Sequence, residues 1–549
     1  MSSQAHADHQ TCILRQLKYF VFQFLQGSVT VATMVSWVCL LSGVFPEVGD
    51  KLREEIDSCV EDAPNATGSF HVKYVGTVPE NTRFIVFLMS LHHDARFWEK
   101  PHEFYPEHFL PENVKKRPTS SFIPFSTGMR ECPGKSVLRN PNCYDKDATY
   151  NFFNIPNILF TANGEPWATE RKVVSPAYSP RIISAIDPTY SHRIRGLVDA
   201  LRKRAATGEV FNLIEHVLPM AIDTICDTFM GISIDMQARD NAKYVKALLR
   251  IPDLFIERVV IPVYQPDIIY SLTGKKKEYQ SYANVLFALV REVLEKKMEH
   301  RAELRQTSGA SHEAGTKLFL DILLDKFEAS EKKDMDLLTY ETGELFVAGT
   351  VTISTMVSWV CLLSGVFPEV GDKLRAEIDS CVEDAPNATI EDCAKLEYLD
   401  LVVKEALRHF TVPFIARKAK KDIQVPDVGT VPENTRFLVS LLSLHHDARY
   451  WEKPYEFYPE HFLPENVEKR PKFAYIPFST GMRDCPGAKY AIQSMKVEVV
   501  RILSQFKIAS ARMKPWKNPF TELSLGFGFT FVPTRGWLVT AELRNQSSD

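Results

Sequence analysis

The stretch FSTGMRDCPG, Phe478–Gly487, decides the fold, because it places a cysteine among glycines just before the pattern of a long amphipathic helix. Downstream of Cys485, apolar residues recur at helical spacing on one face: Ile492, Met495, Val499, Ile502 and Leu503. Pro486 suits the first position of that helix. The sulfur of Cys485 would then lie beside free N–H groups and the positive end of the helix dipole, a setting that favours a thiolate.

Much of this region occurs twice in the chain. Gly76–Gly134 repeats Gly429–Gly487 at an offset of 353 residues (429 minus 76), with eleven differences in 59 positions. Thr33–Thr67 repeats Thr355–Thr389 at an offset of 322 (355 minus 33), with one difference. The first copy therefore lacks 31 residues (353 minus 322) between its two blocks. A single gapped copy does not resemble a solenoid, and a partial gene duplication or a faulty gene prediction explains it better.

The two cysteines differ in the sequence on their C-terminal side. After Cys132, Asn140 and Pro141 end any helix within about two turns, so this copy keeps the loop without the supporting helix. We expect residues 1–136 to be a gapped duplicate of residues 346–487 that need not fold well. We expect residues 137–549 to form the functional domain, with Cys485 as the working cysteine.

The composition indicates a globular protein that does not bind nucleic acid. The 549 residues include 65 Lys+Arg against 69 Asp+Glu, without a long basic run, and 45% are hydrophobic. Ten cysteines occur without a CxxC pair, which argues against a zinc knuckle or a disulfide framework and favours a reducing compartment.

Residues 19–45 form 27 consecutive positions without a charge, long enough to cross a bilayer. Glutamines, serines and threonines dilute the apolar character of this run, and no signal-peptide layout precedes it. Two interpretations stay open: a membrane span, or the copy of a core helix.

Helical patterns dominate from Trp167 to about Leu338, and a long helix is predicted at about Met335–Phe367. The centre of this helix carries no charge, so it is buried in a large domain or in a membrane, and burial is favoured. Glycine and threonine within the sequence AGTVT, Ala348–Thr352, predict a functional kink. Short extended segments come after Lys421. The predicted class is mainly α with a small β part.

These features resemble the cytochrome P-450 family of haem-thiolate monooxygenases. Five positions match its FxxGxRxCxG cysteine loop: Phe478, Gly481, Arg483, Cys485 and Gly487. Glu405 and Arg408 match the ExxR pair of its K-helix, and YPEHF (458–462) resembles its meander, with His461 where arginine is usual. WATER (167–171) resembles its WxxxR helix, and AGTVT its oxygen-binding central helix. The resemblance covers about three quarters of the chain, from about Val137.

The resemblance implies the cytochrome P-450 fold, with a long central helix over haem b, and assigns roles to particular residues. Cys485 would be the axial ligand of the iron, shielded by Phe478, while Gly481 and Gly487 would allow a tight loop close to the porphyrin. Four residues would contact the haem propionates: Trp167, Arg171, Arg417 and Arg483. Glu405 and Arg408 would form a buried structural pair rather than a surface pair.

On the central helix, Ala348 and Gly349 would line the haem, and Thr352 would help to deliver protons. The alternative for Thr352 is a hydrogen bond to its own helix backbone. The family usually has an acid immediately before this threonine, where the chain has Val351. Slow proton delivery, leakage of peroxide or another proton route would be the consequence.

The segments at 160–180 and 221–237 look most like the animal microsomal group that includes fatty-acid ω-hydroxylases. That group often has an acid where this chain has Ala348, so a covalent haem ester is not expected. The resemblance implies insertion of one oxygen atom into an apolar fatty acid, lipid or xenobiotic. Electrons would come from NADPH through a separate reductase, with cytochrome b5 as a further donor, at the cytosolic face of the endoplasmic reticulum membrane. The basic segments ARKAKKD (416–422) and ARMKPWK (511–517) would contribute to docking.

Two alternatives stay open. Val351, and the gapped duplicate in place of the family's usual N-terminal region, favour a haem- or lipid-binding protein without turnover. A pseudogene or a joining error would mean that the polypeptide never accumulates. Turnover with a reductase separates the first alternative from the enzyme.

Overall fold

The structure is a computed structural model that describes residues 71–72, 76–77, 134–179, 187–308, 317–425 and 429–544. The chain forms two compact units, residues 1–131 and 132–549. In the first unit, strands β1 (His71–Val72) and β2 (Gly76–Thr77) pair antiparallel. Cys132, residues 19–45 and nearly all of the duplicate lie outside the described residues, so their predictions stay predictions.

The second unit is mainly helical, as predicted. Its described α-helices are α1 Gly134–Arg139, α2 Gly164–Val174, α3 Asp187–Thr207, α4 Ile214–Ile225, α5 Ala242–Val260, α6 Asp267–Leu272, α7 Lys275–Ser308, α8 Phe319–Ala329, α9 Met335–Val366, α10 Pro368–Cys381, α11 Ile390–Ala394, α12 Glu397–Phe410, α13 Leu441–His445, α14 Pro464–Glu468, α15 Ala488–Leu503 and α16 Pro519–Glu522.

The strands are short and pair antiparallel. They are β3 Phe211–Asn212, β4 Phe414–Lys418, β5 Ile423–Val425, β6 Gly429–Val431, β7 Arg436–Ser440, β8 Phe506–Ser510, β9 Leu525–Phe527, β10 Phe531–Pro533 and β11 Leu538–Leu543. Strand β11 lies between β3 and β8, while β4 pairs with β7, β5 with β6 and β9 with β10. The strands after Lys421 are interrupted at Ser440, because the Ser440 hydroxyl accepts a hydrogen bond from the Ser443 N–H and caps α13, and they resume at β8.

Helix α9 is the centre of the domain. Its first turn is capped by Asp334, whose carboxylate accepts from the Leu337 N–H at 2.9 Å. It ends at Val366, and Pro368 begins α10. Helices α4, α7, α10, α12 and α15 and strand β8 pack around it. Among the described residues it is the one helix long and apolar enough to cross a membrane, but 78% of its most apolar window is buried inside the domain. The prediction of a buried core helix is confirmed.

Helix α15 starts later than predicted. Its first residue is Ala488, with Gly487 as N-cap, so the prediction of Pro486 as the first helical residue is wrong. The Ala488 N–H reaches the Cys485 carbonyl at 3.5 Å, which makes the Cys-Pro-Gly sequence a turn leading into the helix. The apolar face predicted for α15 is buried, including Met495, Val499 and Ile502.

Candidate active site

The cysteine loop closes on itself through backbone hydrogen bonds. The Cys485 N–H donates to the Phe478 carbonyl at 3.0 Å, and the Asp484 N–H donates to the Gly481 carbonyl at 3.1 Å. Gly481 has φ +84°, and a Cβ there would overlap the Leu138 carbonyl oxygen of α1. Both the backbone angle and the neighbouring chain therefore require glycine at this position.

Cys485 lies in a recess of this loop. Its side chain is exposed, yet enough protein surrounds the thiol that burial raises its pKa. The Gly487 N–H and the charge of Arg171 act in the opposite direction. The Gly487 N–H therefore supplies part of the thiolate stabilisation that was predicted for the helix terminus. In the protein alone, burial has the larger effect on the pKa of Cys485. Phe478 is half-buried and packs against the main core.

One stripe of α9 is exposed although the helix runs through the core. Ala348 is exposed and Glu344, Gly349 and Thr352 are partly exposed, whereas most of their neighbours on the helix are buried. Glu344, Ala348 and Thr352 succeed one another at four-residue spacing and share a face. An exposed stripe on a helix that is otherwise buried indicates open space beside it, which we call the cavity. Ala348, Gly349 and Thr352, which the resemblance assigns to the haem site, lie on this stripe.

The backbone of α9 is continuously α-helical through this stripe. The Thr352 hydroxyl donates to the Ala348 carbonyl at 2.6 Å, and the Thr350 hydroxyl donates to the Phe346 carbonyl at 2.5 Å. The helix-backbone bond considered for Thr352 is therefore present. The hydroxyl hydrogen of Thr352 is engaged in this bond, but the hydroxyl oxygen can still accept a hydrogen bond from the cavity side. A Cβ at Gly349 would lie 2.9 Å from Ile225 Cδ1, so glycine lets α4 approach α9 closely.

Buried cations gather near the loop that precedes α2. Arg417 is 1% exposed, and its Nε has no hydrogen-bond partner among the described residues. Lys146 Nζ lies 4.2 Å from the ring centre of Tyr150 and 4.8 Å from that of Phe160. Burial lowers the pKa of both cations, and the charges of Arg417 and Arg483 lower that of Lys146 further. Arg417 is buried and Lys146 is half-buried, and neither forms an ion pair with a described carboxylate. An anion bound between them would offset the cost of burying these charges.

Arg483 fixes the cysteine loop to the segment before α2. Its Nε donates to the Tyr144 carbonyl at 3.0 Å, and its Nη2 donates to Asn163 Oδ1 at 3.0 Å and to the Ala162 carbonyl. The guanidinium lies 4.2 Å from the ring centre of Trp167, which is buried. Burial, with the charge of Arg417, lowers the pKa of Arg483 to about 9.

Arg171 lies against the cysteine loop itself. Its Nη2 pairs with Asp484 Oδ1 at 2.9 Å and its Nη1 donates to the Asp484 carbonyl at 3.1 Å. The predicted contact of Arg171 with a propionate stays a prediction. In this structure Arg171 ties α2 to the residue immediately before Cys485.

Glu405 and Arg408 form a buried pair on α12, as the resemblance implied. Three backbone carbonyls accept from the same guanidinium: His445 at 2.8 Å, Pro454 at 2.6 Å and Glu456 at 3.0 Å. His461 Nδ1 lies 3.2 Å from Glu405 Oε1, at the meander position where arginine is usual in the family. The meander is therefore bound to α12 through both members of the pair.

Lys146, Tyr150 and Glu344 are site residues that sequence reasoning missed. Lys146 and Tyr150 lie in an irregular segment, and no local spacing connects them to Arg417. Glu344 carried a detectable signal, because it is the single charged residue between Glu341 and Pro368 that shares the face of Ala348 and Thr352.

Comparison with known proteins identifies the family. The family model for Cytochrome P450 matches residues 71–139 and 141–534, and the second match alone covers more than half of the chain. The chain therefore belongs to the cytochrome P-450 family and is a haem-dependent monooxygenase. The predicted family, fold class and enzyme class are confirmed.

Three relatives indicate the group within the family. Cytochrome P450 4V2 of Mus musculus is 29% identical over 420 residues, which cover 75% of this chain and 78% of the relative. Cytochrome P450 4V2 of Homo sapiens is 30% identical over 420 residues, with 74% and 78% coverage. Cytochrome P450 4c3 of Drosophila melanogaster is 30% identical over 388 residues, with 68% and 72% coverage. The chain is therefore a cytochrome P-450 of the type to which these relatives, named 4V2 and 4c3, belong.

The residues present fit the haem that the family implies. The unpartnered Nε of Arg417 and the neighbouring ammonium of Lys146 suit two propionate carboxylates. The exposed Cys485 would be the axial ligand of the iron, and the exposed stripe of α9 would line the haem site. When bound, haem with a thiolate ligand supplies activation of molecular oxygen.

Proposed function

We propose that this protein hydroxylates an apolar organic compound, a fatty acid, lipid or xenobiotic, with electrons from NADPH delivered by a separate reductase. The observation that carries the proposal is the site itself: the exposed Cys485, the buried Arg417 with its unpartnered Nε beside the half-buried Lys146, and the exposed stripe of α9. The relatives of the 4 type support the same chemistry.

An apolar substrate is supported by an aromatic cluster near the cations. Phe153 stacks on Phe255 with ring centres 3.6 Å apart, and Phe160 and Phe529 pack against them. Phe414, three residues before Arg417, belongs to the same cluster. These rings offer apolar surface and few hydrogen-bonding groups, which suits a hydrocarbon better than a sugar or a nucleotide.

Membrane association at the cytosolic face of the endoplasmic reticulum is supported by one exposed apolar surface. It lies between the end of α5 and the end of α6, where Val260 is 57%, Ile268 66% and Leu272 82% exposed. The exposed Lys277 comes soon after it in the chain and suits anionic headgroups. Large apolar side chains grouped on a surface mark a contact with a membrane or a partner.

Docking of a reductase, with cytochrome b5 as a further donor, is supported by exposed lysines beside Cys485. Lys172 is exposed on α2, and Lys489 is exposed at the start of α15. Of the two basic segments named from sequence, 511–517 exposes Arg512, Lys514 and Lys517. The segment 416–422 buries Arg417, and its exposed residues are Lys421 and Asp422.

In the reaction, the residues of this chain bind, orient and exclude water. Arg417 and Lys146 would hold the propionates, and the Arg483 bonds to the Tyr144 and Ala162 carbonyls would keep the cysteine loop in register with that cradle. Thr352, with its oxygen free to accept a hydrogen bond, would order water at the cavity wall.

The test is the ferrous carbon-monoxide difference spectrum, with turnover by NADPH and a microsomal reductase measured next. We expect a thiolate-type Soret band in wild type and in Cys132→Ser, and its loss in Cys485→Ser. A band lost only in Cys132→Ser would overturn the assignment of the ligand. Wild-type protein without any band would overturn the proposed function.

A second function, haem or lipid binding without turnover, is favoured by one observation. Val351 is buried and apolar where the family usually has an acid beside the threonine. A normal carbon-monoxide spectrum, together with NADPH consumption that yields no oxidised product from any of a panel of fatty acids, would support this second function.

A further inference from the structure

Glu344 lies on the cavity wall, but none of the roles derived above uses it. It precedes Ala348 by one helical turn and Thr352 by two turns on the same face of α9, a distance of about 12 Å along the helix axis. Its side chain is partly exposed on the stripe that borders the cavity. A carboxyl group is therefore present in the cavity that contains the predicted proton-delivering threonine.

The surroundings of Glu344 keep a proton on it at neutral pH. Burial raises the pKa of this carboxyl to about 8, and the charges of Glu170 and Glu341 add to that rise. The Phe160 backbone N–H donates to the carboxyl, and this bond, like the charge of Lys146, acts in the opposite direction. Tyr178 is close enough for its own pKa to be raised by Glu344.

Lys326, Glu170 and Glu341 form a group of ion pairs near Glu344 that reaches the surface. Lys326 Nζ pairs with Glu170 Oε2 at 2.5 Å and with Glu341 Oε1 at 2.6 Å. The Lys326 side chain is 38% exposed, whereas those of Glu170 and Glu341 are 12% and 9% exposed. Lys326 thus joins solvent to two nearly buried carboxylates, and both carboxylates are close enough to Glu344 for their charges to raise its pKa.

We propose that Glu344 is the carboxyl that feeds protons from the surface group of Lys326, Glu170 and Glu341 into the cavity toward Thr352, in place of the acid absent at Val351. This inference rests on the proposed function and deepens it. Glu344 is a positioning residue for the proton supply, since water must bridge the two helical turns between it and Thr352.

The proton balance is simple. The Glu344 O–H bond breaks and its proton passes to a chain of cavity waters, which the oxygen of Thr352 holds in place by accepting a hydrogen bond. The chain gives up a proton to the molecular oxygen that is being reduced. The Glu344 carboxylate is reprotonated from bulk water by way of Glu341 and Glu170. No electron moves in this step. The protons replace those consumed when oxygen is reduced to water and alcohol oxygen with electrons from NADPH.

The test compares wild type with Glu344→Gln, which keeps size and polarity but cannot release a proton. The matched control is Glu498→Gln, because Glu498 is a second buried glutamic acid on a core helix whose pKa burial raises to about 8. Infrared difference spectra of each variant against wild type, recorded from pH 6 to 9, report the protonated carboxyl directly. Haem retention is measured by transfer to apomyoglobin, and coupling by the ratio of peroxide to hydroxylated product.

We expect each variant to lose one protonated carboxyl band that titrates near pH 8, while only Glu344→Gln raises the peroxide ratio severalfold. We also expect the fall in coupling above pH 8 to disappear in Glu344→Gln, and Val351→Glu in the same chain to restore coupling. Haem retention should stay at the wild-type value.

An unchanged peroxide ratio and pH profile in Glu344→Gln would overturn the proposal. A changed haem retention with unchanged coupling would also overturn the proposal, since the role of Glu344 would then be only to balance the charge of Lys146. A failure of the proposed function looks different, because the wild-type protein itself would give no thiolate band or no product.

Discussion

Glu405 and Arg408 are joined by two parallel bonds inside the domain, from Arg408 Nε to Glu405 Oε2 at 2.8 Å and from Nη2 to Oε1 at 2.7 Å. The residues are three positions apart on α12, and both side chains are fully buried. The Tyr458 N–H also donates to Glu405 at 2.9 Å. The pair therefore holds the chain that leads to the cysteine loop.

Breaking this pair should destabilise the domain strongly. Arg408→Ala leaves a buried carboxylate and three carbonyls without their donor, and we expect a loss of about 3–5 kcal/mol in the free energy of unfolding. Urea unfolding monitored by tryptophan fluorescence measures it. Arg291→Ala is the control, because Arg291 pairs with Asp336 on the surface and should cost at most about 1 kcal/mol. Similar losses in the two variants would contradict the prediction.

Each buried histidine around this pair should lower the stability of the domain when the pH drops below about 6.5. Glu344 and Glu498, whose pKa values burial raises to about 8, act in the opposite direction, so the prediction concerns the share of each histidine in the slope. Burial and the charge of Arg408 lower the pKa of His409 to about 4 and that of His445 to about 3, and burial lowers that of His446 well below its usual value. The unfolded chain takes up these protons below pH 6.5 and the folded one does not. Each histidine should cost about 2 kcal/mol between pH 6.5 and pH 5.

The measurement is urea unfolding at several pH values from 8 to 5. His446→Gln removes one titrating ring and should reduce the slope below pH 6.5, whereas His192→Gln, at an exposed position, should not. Equal slopes below pH 6.5 in His446→Gln and His192→Gln would contradict the prediction.

Lys146→Met should weaken haem retention. The variant keeps the length of the side chain but removes a charge-assisted bond to a propionate, worth about 1.5–3 kcal/mol, which corresponds to about 10–100-fold faster haem loss. Transfer of haem to apomyoglobin gives the rate. Lys172→Met, at an exposed lysine on α2, should leave the rate unchanged, and equal rates for both variants would remove Lys146 from the cradle.

Gly481→Ala should disrupt the cysteine loop by more than its backbone angle alone explains. Alanine in the left-handed region costs about 1–2 kcal/mol, and here its Cβ would also overlap the Leu138 carbonyl. Gly208→Ala separates the two causes, since Gly208 has φ +65° and open space around it. Thermal unfolding and the carbon-monoxide spectrum should be altered in Gly481→Ala, while Gly208→Ala keeps a normal spectrum. Equal unfolding temperatures and spectra for the two variants would mean that α1 can shift to make room for the Cβ.

The parts of this site that the sequence predicts are those encoded locally. The five matching positions of the cysteine loop lie within ten residues, and the spacing of Glu405 and Arg408 puts them on one helical face. The long uncharged run of α9 predicted that the helix is buried. The predicted bounds of the helix, about Met335–Phe367, agree with the observed bounds within one residue.

The parts that sequence reasoning missed depend on chain segments that meet only in the fold. Nothing local to Lys146 shows that Arg417 will lie beside it, and nothing near Arg171 shows that Asp484 will be its partner. Pro486 satisfies the rule for a first helical residue, but the loop closure at Cys485 makes a turn there instead. Tertiary contacts decide these positions.

Helix α1 also bears on how this gene could change. The copied sequence ends at Gly134, the first residue of α1, and the uncopied Val137 and Leu138 after it are buried among Ile415, Val439 and Ile476. Because the Leu138 carbonyl lies against Gly481, a deletion of the copied segment that extended into this helix would also remove packing of the cysteine loop. The boundary of the repeat and the boundary of the folded domain therefore meet at the first residue of a helix that the domain core needs.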